Sequence, residues 1–417
     1  MKFVYNFVVF LAGIILPLLA VFSRKIKFFV AGRRETFSKI AVLKNEKTIW
    51  FHVASLGEFE QARPIIEELK QQHKKHKILV TFFSPSGYEV RKNYALADVV
   101  CYLPLDARKN AERFIKEVNP EIAIFIKYEF WPNFLSALKK KNIKTILVSG
   151  ILRKEQLFFK SYGTFMKKSL AAFDHFFVQD SNSKLLLNSI ALKNVTVAGD
   201  TRFDRVSAIL KQDNALDFIQ EFKDSAYTLV AGSTWREDEA LLIHYINNTA
   251  TATEKFIIAP HNIKSGAILE LRAQIDKKTV LYSEFKKAQF VGDLKSNQVF
   301  IIDTIGLLTK IYAAADVAYV GGGLKTGLHN ILEPATFGIP VVIGNTFDKF
   351  KEAVDLVKIG GCIAIKNQEE FTENCTLLKN DEHFRKLTGV LNKRYIESHL
   401  GATKLVMNYI TVALNEL

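Results

Sequence analysis

Several side chains able to do chemistry stand just after short apolar runs. Glu58 follows TIWFHVAS (48–55) in the stretch SLGEFEQARPIIEEL, where Ser55 and Gly57 join an apolar run to an amphipathic one. A carboxylate in the first turn of a helix is favoured by the helix dipole. It can serve as a general base when a hydroxyl comes within hydrogen-bond reach. An ordinary first-turn glutamate fits the same position, and the sequence leaves both readings open. Glu129 closes another apolar run in IKYEFWPN, ahead of Trp131 and Pro132, so two carboxylates from different strand ends could line one pocket. TFFSPSGYEV places Ser84, Ser86 and Gly87 at a third such end. Arg202, in GDTRFD, is a cation able to offset charge on a leaving phosphate.

The second half of the chain offers a different chemistry. In AGSTWREDE, Ser233 or Thr234 can cap the next helix with Glu237 nearby, or the helix start can offer free N–H groups to an anion. In APHNIKSG, Pro260 ends an apolar run and sets His261 and Lys264 to meet phosphate or carboxylate. Gly306, between Ile305 and Leu307, sits at a turn where backbone can approach a flat base. The stretch AYVGGGLKTGLHNILEPATFGIPVVIGN carries a glycine cluster, then Asn330 and Glu333 on one face of a short helix read over 329–338. A carboxylate there can accept the two vicinal hydroxyls of a ribose, and backbone N–H groups can hold a phosphate. An N-cap asparagine and a dipole-favoured glutamate are the plainer alternative. Glycines, Asn, Glu and Pro together between two strands point to a nucleotide-sugar site.

These residues need a scaffold that brings strand ends together. Apolar runs at 48–55, 77–84, 98–105, 121–129, 144–150 and 175–180 alternate with amphipathic stretches such as EFEQARPIIEELKQQHKK. After a polar pause from GDTRFDRV onward, a second set follows at 227–233, 255–260, 279–283, 298–303, 316–323, 339–344 and 361–365. Such alternation is the mark of parallel βαβ units. The expected fold is α/β: two Rossmann-like domains facing a central cleft, with ligands at the carboxyl ends of the strands. The expected boundaries are an anchor at 1–24, a first Rossmann-like domain at 25–206, a second at 207–390, and a terminal helix at 391–417 packing back on the first domain.

Composition narrows the class. The 417 residues carry a net charge of +14 and are 48% hydrophobic, enough for two domains with substantial cores and for an anionic partner. Cys101, Cys362 and Cys375 are odd in number and far apart, with neither disulfide nor metal-ligand spacing. The basic residues are spread out and match no nucleic-acid-binding module, so no nucleic-acid partner is expected. FVYNFVVFLAGIILPLLAVF (3–22) is free of charge and long enough to cross a bilayer or to lie in its interface. Lys2 precedes it and Arg24, Lys25, Lys27, Arg33 and Arg34 follow, which puts the body of the protein in the cytoplasm.

Taken together, SLGEFEQARPIIEEL, YEFWPN, GDTRFD, GSTWREDE, DTIGLL and GLHNILEPATFGIPVVIG resemble the 3-deoxy-D-manno-octulosonic acid (Kdo) transferases, membrane-associated GT-B glycosyltransferases. The match runs in order over almost the whole chain. The resemblance implies transfer of Kdo from CMP-Kdo to a lipid A precursor at the cytoplasmic face of the inner membrane, inverting in one displacement, without cofactor or metal. It makes Glu58 the base and assigns Glu129 and Arg202 to transition-state support. It assigns CMP contacts to Pro260 and His261, the turn Ile305–Gly306–Leu307, and Asn330, Ile331, Leu332 and Glu333. Anionic inner-membrane lipid is a further expected partner. Another GT-B transferase or a nucleotide-sugar epimerase would share mainly the second half, and an epimerase needs neither the anchor nor YEFWPN. A non-catalytic tether for anionic lipid would give Glu58 no role.

Overall fold

The computed structural model describes residues 1–287 and 292–416. The chain divides into two compact units, Met1–Arg205 with His399–Leu417, and Val206–Ser398.

Unit 1 holds a parallel sheet of β1 (Thr48–Val53), β2 (Lys77–Phe82), β3 (Val99–Tyr102), β4 (Ile122–Ile126), β5 (Lys144–Gly150), β6 (His175–Val178) and β7 (Val195–Val197), in the order β3-β2-β1-β4-β5-β6-β7. All six residues of β1 are buried, as a strand covered by helices on both faces requires. The helix Arg108–Val118 shows how the cover forms. Ala111, Phe114, Ile115 and Val118 recur at helical spacing and are the buried ones. Trp50, fully buried, packs edge to face on Phe125 and against Phe114 and Phe134. Burying a side chain of this size stabilises the fold by roughly 1.5–3 kcal/mol.

Unit 2 repeats the plan with β8 (Tyr227–Thr234), β9 (Glu254–Pro260), β10 (Thr279–Leu281), β11 (Val299–Ile301), β12 (Val317–Val320), β13 (Val341–Gly344) and β14 (Cys362–Ile365), in the order β10-β11-β9-β8-β12-β13-β14. In each sheet the strand order reverses beside the first strand, between β1 and β4 and between β8 and β12; in unit 2 the edge differs, with β11 lying between β9 and β10. That reversal opens a crevice beyond the strand ends, because the helices after the two neighbouring strands leave to opposite faces.

Two local readings change. The segment expected to pause around GDTRFDRV is a helix, Thr201–Ile209. Ser149 and the Gln61 carbonyl hold Thr201 at its start, which gives this polar run a tertiary anchor. The strand β7 has no counterpart among the expected runs. Only three residues long and partly exposed, it lacks the continuous apolar signal of its neighbours.

Candidate active site

The first half-site lies at the reversal point of the unit 1 sheet. β1 and β4 pair in parallel, His52 opposite Phe125, so the residues after each strand emerge side by side. After β1 the helix Leu56–Gln72 begins, with Ser55 at its N-cap and Glu58 in its first turn. Glu58 is 5% exposed. The Ser55 hydroxyl caps no backbone N–H; it donates to the Glu58 carboxylate instead. Lys127, after β4, brings Nζ to 3.7 Å from Glu58 Oε1. Its backbone is left-handed (φ 68°), a strained choice for a lysine and one that turns the chain at the strand end.

Glu129 is also buried. The Trp131 indole N–H is shared between Glu129 Oε2 at 3.0 Å and His52 Nε2 at 2.9 Å. An indole nitrogen only donates, so His52 Nε2 carries a lone pair and the ring proton sits on Nδ1, 2.9 Å from Thr81 Oγ1. Thr81 also accepts from the Trp50 indole and donates to the Phe51 carbonyl. His52, with no exposed surface, is thus fixed in ring orientation and tautomer, with Nε2 3.4 Å from Glu129 Oε2.

Arg202 belongs to this half-site through the helix that carries Glu58. Its Nε and Nη2 donate to Asp200 Oδ2 at 3.0 and 2.8 Å, and the Gln61 amide donates to the same oxygen. Burial would push the Asp200 carboxyl up, but the Arg202 guanidinium and these hydrogen bonds outweigh it and hold it below the ordinary carboxylate range. Ser84 and Ser86 share a hydrogen bond at 2.8 Å at the end of β2. Gly87 has a packing role: an added Cβ would lie 2.8 Å from Leu56 N and 2.9 Å from Ser55 C, so only glycine lets this helix approach the Glu58 turn. Gly57 stands in that turn, beside Ser55.

The second half-site lies at the reversal point of the unit 2 sheet. The expected cap at Ser233 or Thr234 is replaced. β8 continues through Thr234, with Ser233 left-handed (φ 55°) at a bulge, so the helix starts later, at Arg236. Asp238, not Glu237, takes the capping role. It accepts from Trp235 N and Gly322 N, both at 2.9 Å, and from the Tyr319 hydroxyl at 2.6 Å. The carboxylate thereby ties the start of this helix to the glycine cluster after β12. Gly322 is left-handed (φ 89°), and a Cβ there would meet the Gly327 carbonyl.

Around this knot the predicted residues gather. Thr234 Oγ1 donates to Glu239, and the Thr234 carbonyl accepts from His261 N, just past Pro260. Asn330 and Glu333 meet as expected, the amide donating to Oε1 at 3.0 Å while Thr309 donates to Oε2 at 2.7 Å. The helix here is shorter than expected, Leu332–Thr336, because Asn330 spends its side-chain oxygen on Leu332 N and Ile331 forms the cap. Ile305, 84% exposed, and Gly306 (φ 97°) form the turn before Leu307.

Trp235, His261 and His329 stack, with centroids 4.5 Å apart for Trp235–His261 and for His261–His329. The Trp235 indole N–H donates to His329 Nε2 at 3.0 Å, which leaves the ring proton on Nδ1. Burial, and the neighbouring His261, push His329 down to about 4, so it is neutral at physiological pH.

Comparisons with known proteins identify similar chains and folds. The family model described as 3-deoxy-D-manno-octulosonic-acid transferase (kdotransferase) matches residues 31–205. The chain is 28% identical over 344 residues to the 3-deoxy-D-manno-octulosonic acid transferase of Aquifex aeolicus, covering 81% of this chain and 87% of that one. It is 25% identical over 384 residues to the Haemophilus influenzae transferase of the same name, covering 87% and 86%. The chain is similar to Kdo transferases over most of its length. It is a glycosyltransferase, and the first half-site lies inside the span that the family model matches. The crystal structure of UDP-GlcNAc 2-epimerase from Neisseria meningitidis bound to UDP-GlcNAc aligns with a TM-score of 0.57 at 14% identity, covering 89% of this chain and all of that one. At that identity the likeness speaks for the fold alone, which is GT-B.

Lys127, His52, Asp200 and Asp238 were not singled out from the sequence. Lys127 and Asp200 each stand within two residues of a predicted one, but their pairing with Glu58 and Arg202 is a tertiary fact. His52 is masked by lying inside a buried run.

Proposed function

We propose that this Kdo transferase moves Kdo from CMP-Kdo to a sugar hydroxyl of a lipid A precursor, with inversion, and that Glu58 is the general base. The observation that carries the reading is the Glu58 carboxylate, buried at the sheet's reversal point and oriented by Ser55 and Lys127. In the step itself, Glu58 takes the acceptor hydroxyl proton as that oxygen bonds to the anomeric carbon of Kdo. The bond from that carbon to the CMP phosphate breaks, and its electron pair leaves with CMP. Glu129, held by Trp131, and Arg202, held by Asp200, support charge developing at the reacting centre. Ser55, Gly57, Ser84, Ser86 and Gly87 border the acceptor side. The strand ends of unit 2 hold the donor: Asn330 and Glu333 read the ribose, the backbone around Ser233, Thr234, Ile331 and Leu332 meets the phosphate, and Pro260, His261 and the turn Ile305–Leu307 enclose the base. The neutral His329 serves there as a hydrogen-bonding group, not a charge.

The apolar helix Lys2–Leu19, none of it buried, is the membrane anchor. The reading places the enzyme on the cytoplasmic face of the inner membrane, where anionic lipid attracts the cations that follow the helix. The test is to incubate the purified full chain with a CMP-Kdo-generating system and a lipid A precursor, and to weigh the lipid products. Addition of Kdo mass is expected, and Glu58→Gln should lower turnover by about a hundredfold or more. Lipid left unchanged by the native protein overturns the reaction; full turnover by Glu58→Gln overturns the base.

A further inference from the structure

The apolar helix does not stand away from unit 1. The Tyr5 hydroxyl donates to Asp106 Oδ2 at 2.7 Å, and the Asn133 amide donates to Asn6 Oδ1 at 2.9 Å. Further along, Gly13, Leu16 and Pro17 line a cavity together with Pro104, Leu105 and Asn110. Contacts thus run from residue 5 to residue 17, about 18 Å of helix at ~1.5 Å per residue. The opposite side carries Phe3, Phe7, Phe10, Ile14 and Leu18, all more than half exposed and at helical spacing. A helix with one side on a polar domain surface and the other apolar side bare lies along the membrane interface. That geometry fixes the level of whatever flanks it.

At its start lies a cavity of about 600 Å³. Its walls carry four lysines: Lys2 from the apolar helix, Lys139 and Lys140 from the helix Pro132–Lys140, and Lys168 from the helix Thr164–Leu170. Pro132 and Phe165 give it apolar wall, and Phe165 also packs on Tyr5, 5.7 Å between ring centroids. Among the described residues no carboxylate lines it. Glu112 reaches Lys140 from outside at 3.6 Å, and Lys139 donates to the Ala171 carbonyl. Cations from three separate helices therefore converge on one concave space beside the start of the apolar helix, with apolar surface next to it that suits glycerol and upper acyl chain.

We propose that this cavity binds the phosphate headgroup of an anionic bilayer phospholipid. The inference rests on the reading of the apolar helix as a membrane anchor, and it is independent of which sugar is transferred. The assay is co-sedimentation of the full chain with phosphatidylglycerol-containing vesicles and with pure phosphatidylcholine vesicles. Lys139→Glu with Lys168→Glu, and separately the uncharged filling substitution Ser136→Trp, should each weaken partition to the phosphatidylglycerol vesicles by about tenfold while leaving phosphatidylcholine partition at the native level. Lys25→Glu with Lys27→Glu, outside the cavity, should weaken it less. Equal losses from both lysine pairs with no effect of Ser136→Trp would reduce the site to diffuse attraction and overturn the proposal. Loss on both vesicle types would mean the helix had come away, and overturns it too. Turnover of acceptor in detergent micelles is expected to be unchanged; a raised acceptor KM with native vesicle partition would make the cavity part of the acceptor site and overturn the phospholipid assignment. Failure of the anchor reading shows separately, as native protein that stays in the supernatant with every vesicle.

Discussion

At the scale of single residues, the two half-sites use polar groups in opposite ways. In unit 1 an opposite charge sits close to two of the candidate side chains: Lys127 on Glu58, Asp200 on Arg202. In unit 2 the central histidine is kept neutral. The unfolded chain takes up a proton on His329 near pH 6.5, whereas the folded chain resists until about 4. The unfolded state therefore binds more protons between these values. Stability from this residue is whole above pH 6.5 and falls as pH drops toward 4. After solvent screening the loss should reach ~1–2 kcal/mol. Denaturant midpoints at pH 7 and pH 5 test this. His329→Gln should lose less on acidification than the native chain, and equal losses in both proteins would contradict the neutral, buried histidine.

At the scale of elements, the Glu58 turn depends on a neighbour that does no chemistry. The helix Pro85–Arg91 presses Gly87 onto the backbone of Ser55 and Leu56. Gly87→Val would push the first turn of the Leu56–Gln72 helix away from Lys127. The expected outcome is a well-folded protein, weaker by about 1–3 kcal/mol from overpacking, with kcat lowered more than tenfold. Thermal unfolding beside a turnover assay separates the two effects; native kcat would show that the turn tolerates displacement. The helix Pro132–Lys140 relies similarly on Asp106, which accepts from Asn133 N and Phe134 N at its start. Burial pushes Asp106 up to about 6 despite these bonds.

At the scale of the whole molecule, the chain leaves unit 1 within the helix Thr201–Ile209 and returns to it at His399. The return is held by Asp204, which accepts from Gly401 N and Thr403 N at the start of the last helix, Ala402–Asn415. Val406, Met407 and Ile410 of that helix then join the core formed by Ile65, Ile66 and Leu69. The membrane attachment proposed above is the other property that belongs to this scale. Replacing Phe3, Phe7 and Phe10 by Ser removes three large apolar side chains from the bare side of the helix. If that side enters the bilayer, each contributes roughly 1.5–3 kcal/mol, so binding to neutral phosphatidylcholine vesicles should fall by far more than tenfold. Native flotation of the triple variant would place the lipid contact elsewhere.

Much of this was legible in the residues themselves. Strands such as TIWFHV and KFIIAP announce themselves by continuous apolar runs, since both faces of a parallel sheet are covered. Glu58, Asn330 and Glu333 could be picked out as candidates because they follow such runs, although a first-turn glutamate and an N-cap asparagine suit the same positions. Pattern reading stops where a role is given by a partner distant in sequence. The Lys127–Glu58 pair joins residues 127 and 58, and the Gln61–Asp200 bond spans 139 positions. The sequence alone determined periodicity, turn chemistry and charge, because those are properties of neighbours along the chain. Only the tertiary structure decided which charge faces which, which histidine is stripped of its proton, and on what surface the apolar helix lies, because each depends on burial and on groups that folding alone brings within a few ångströms.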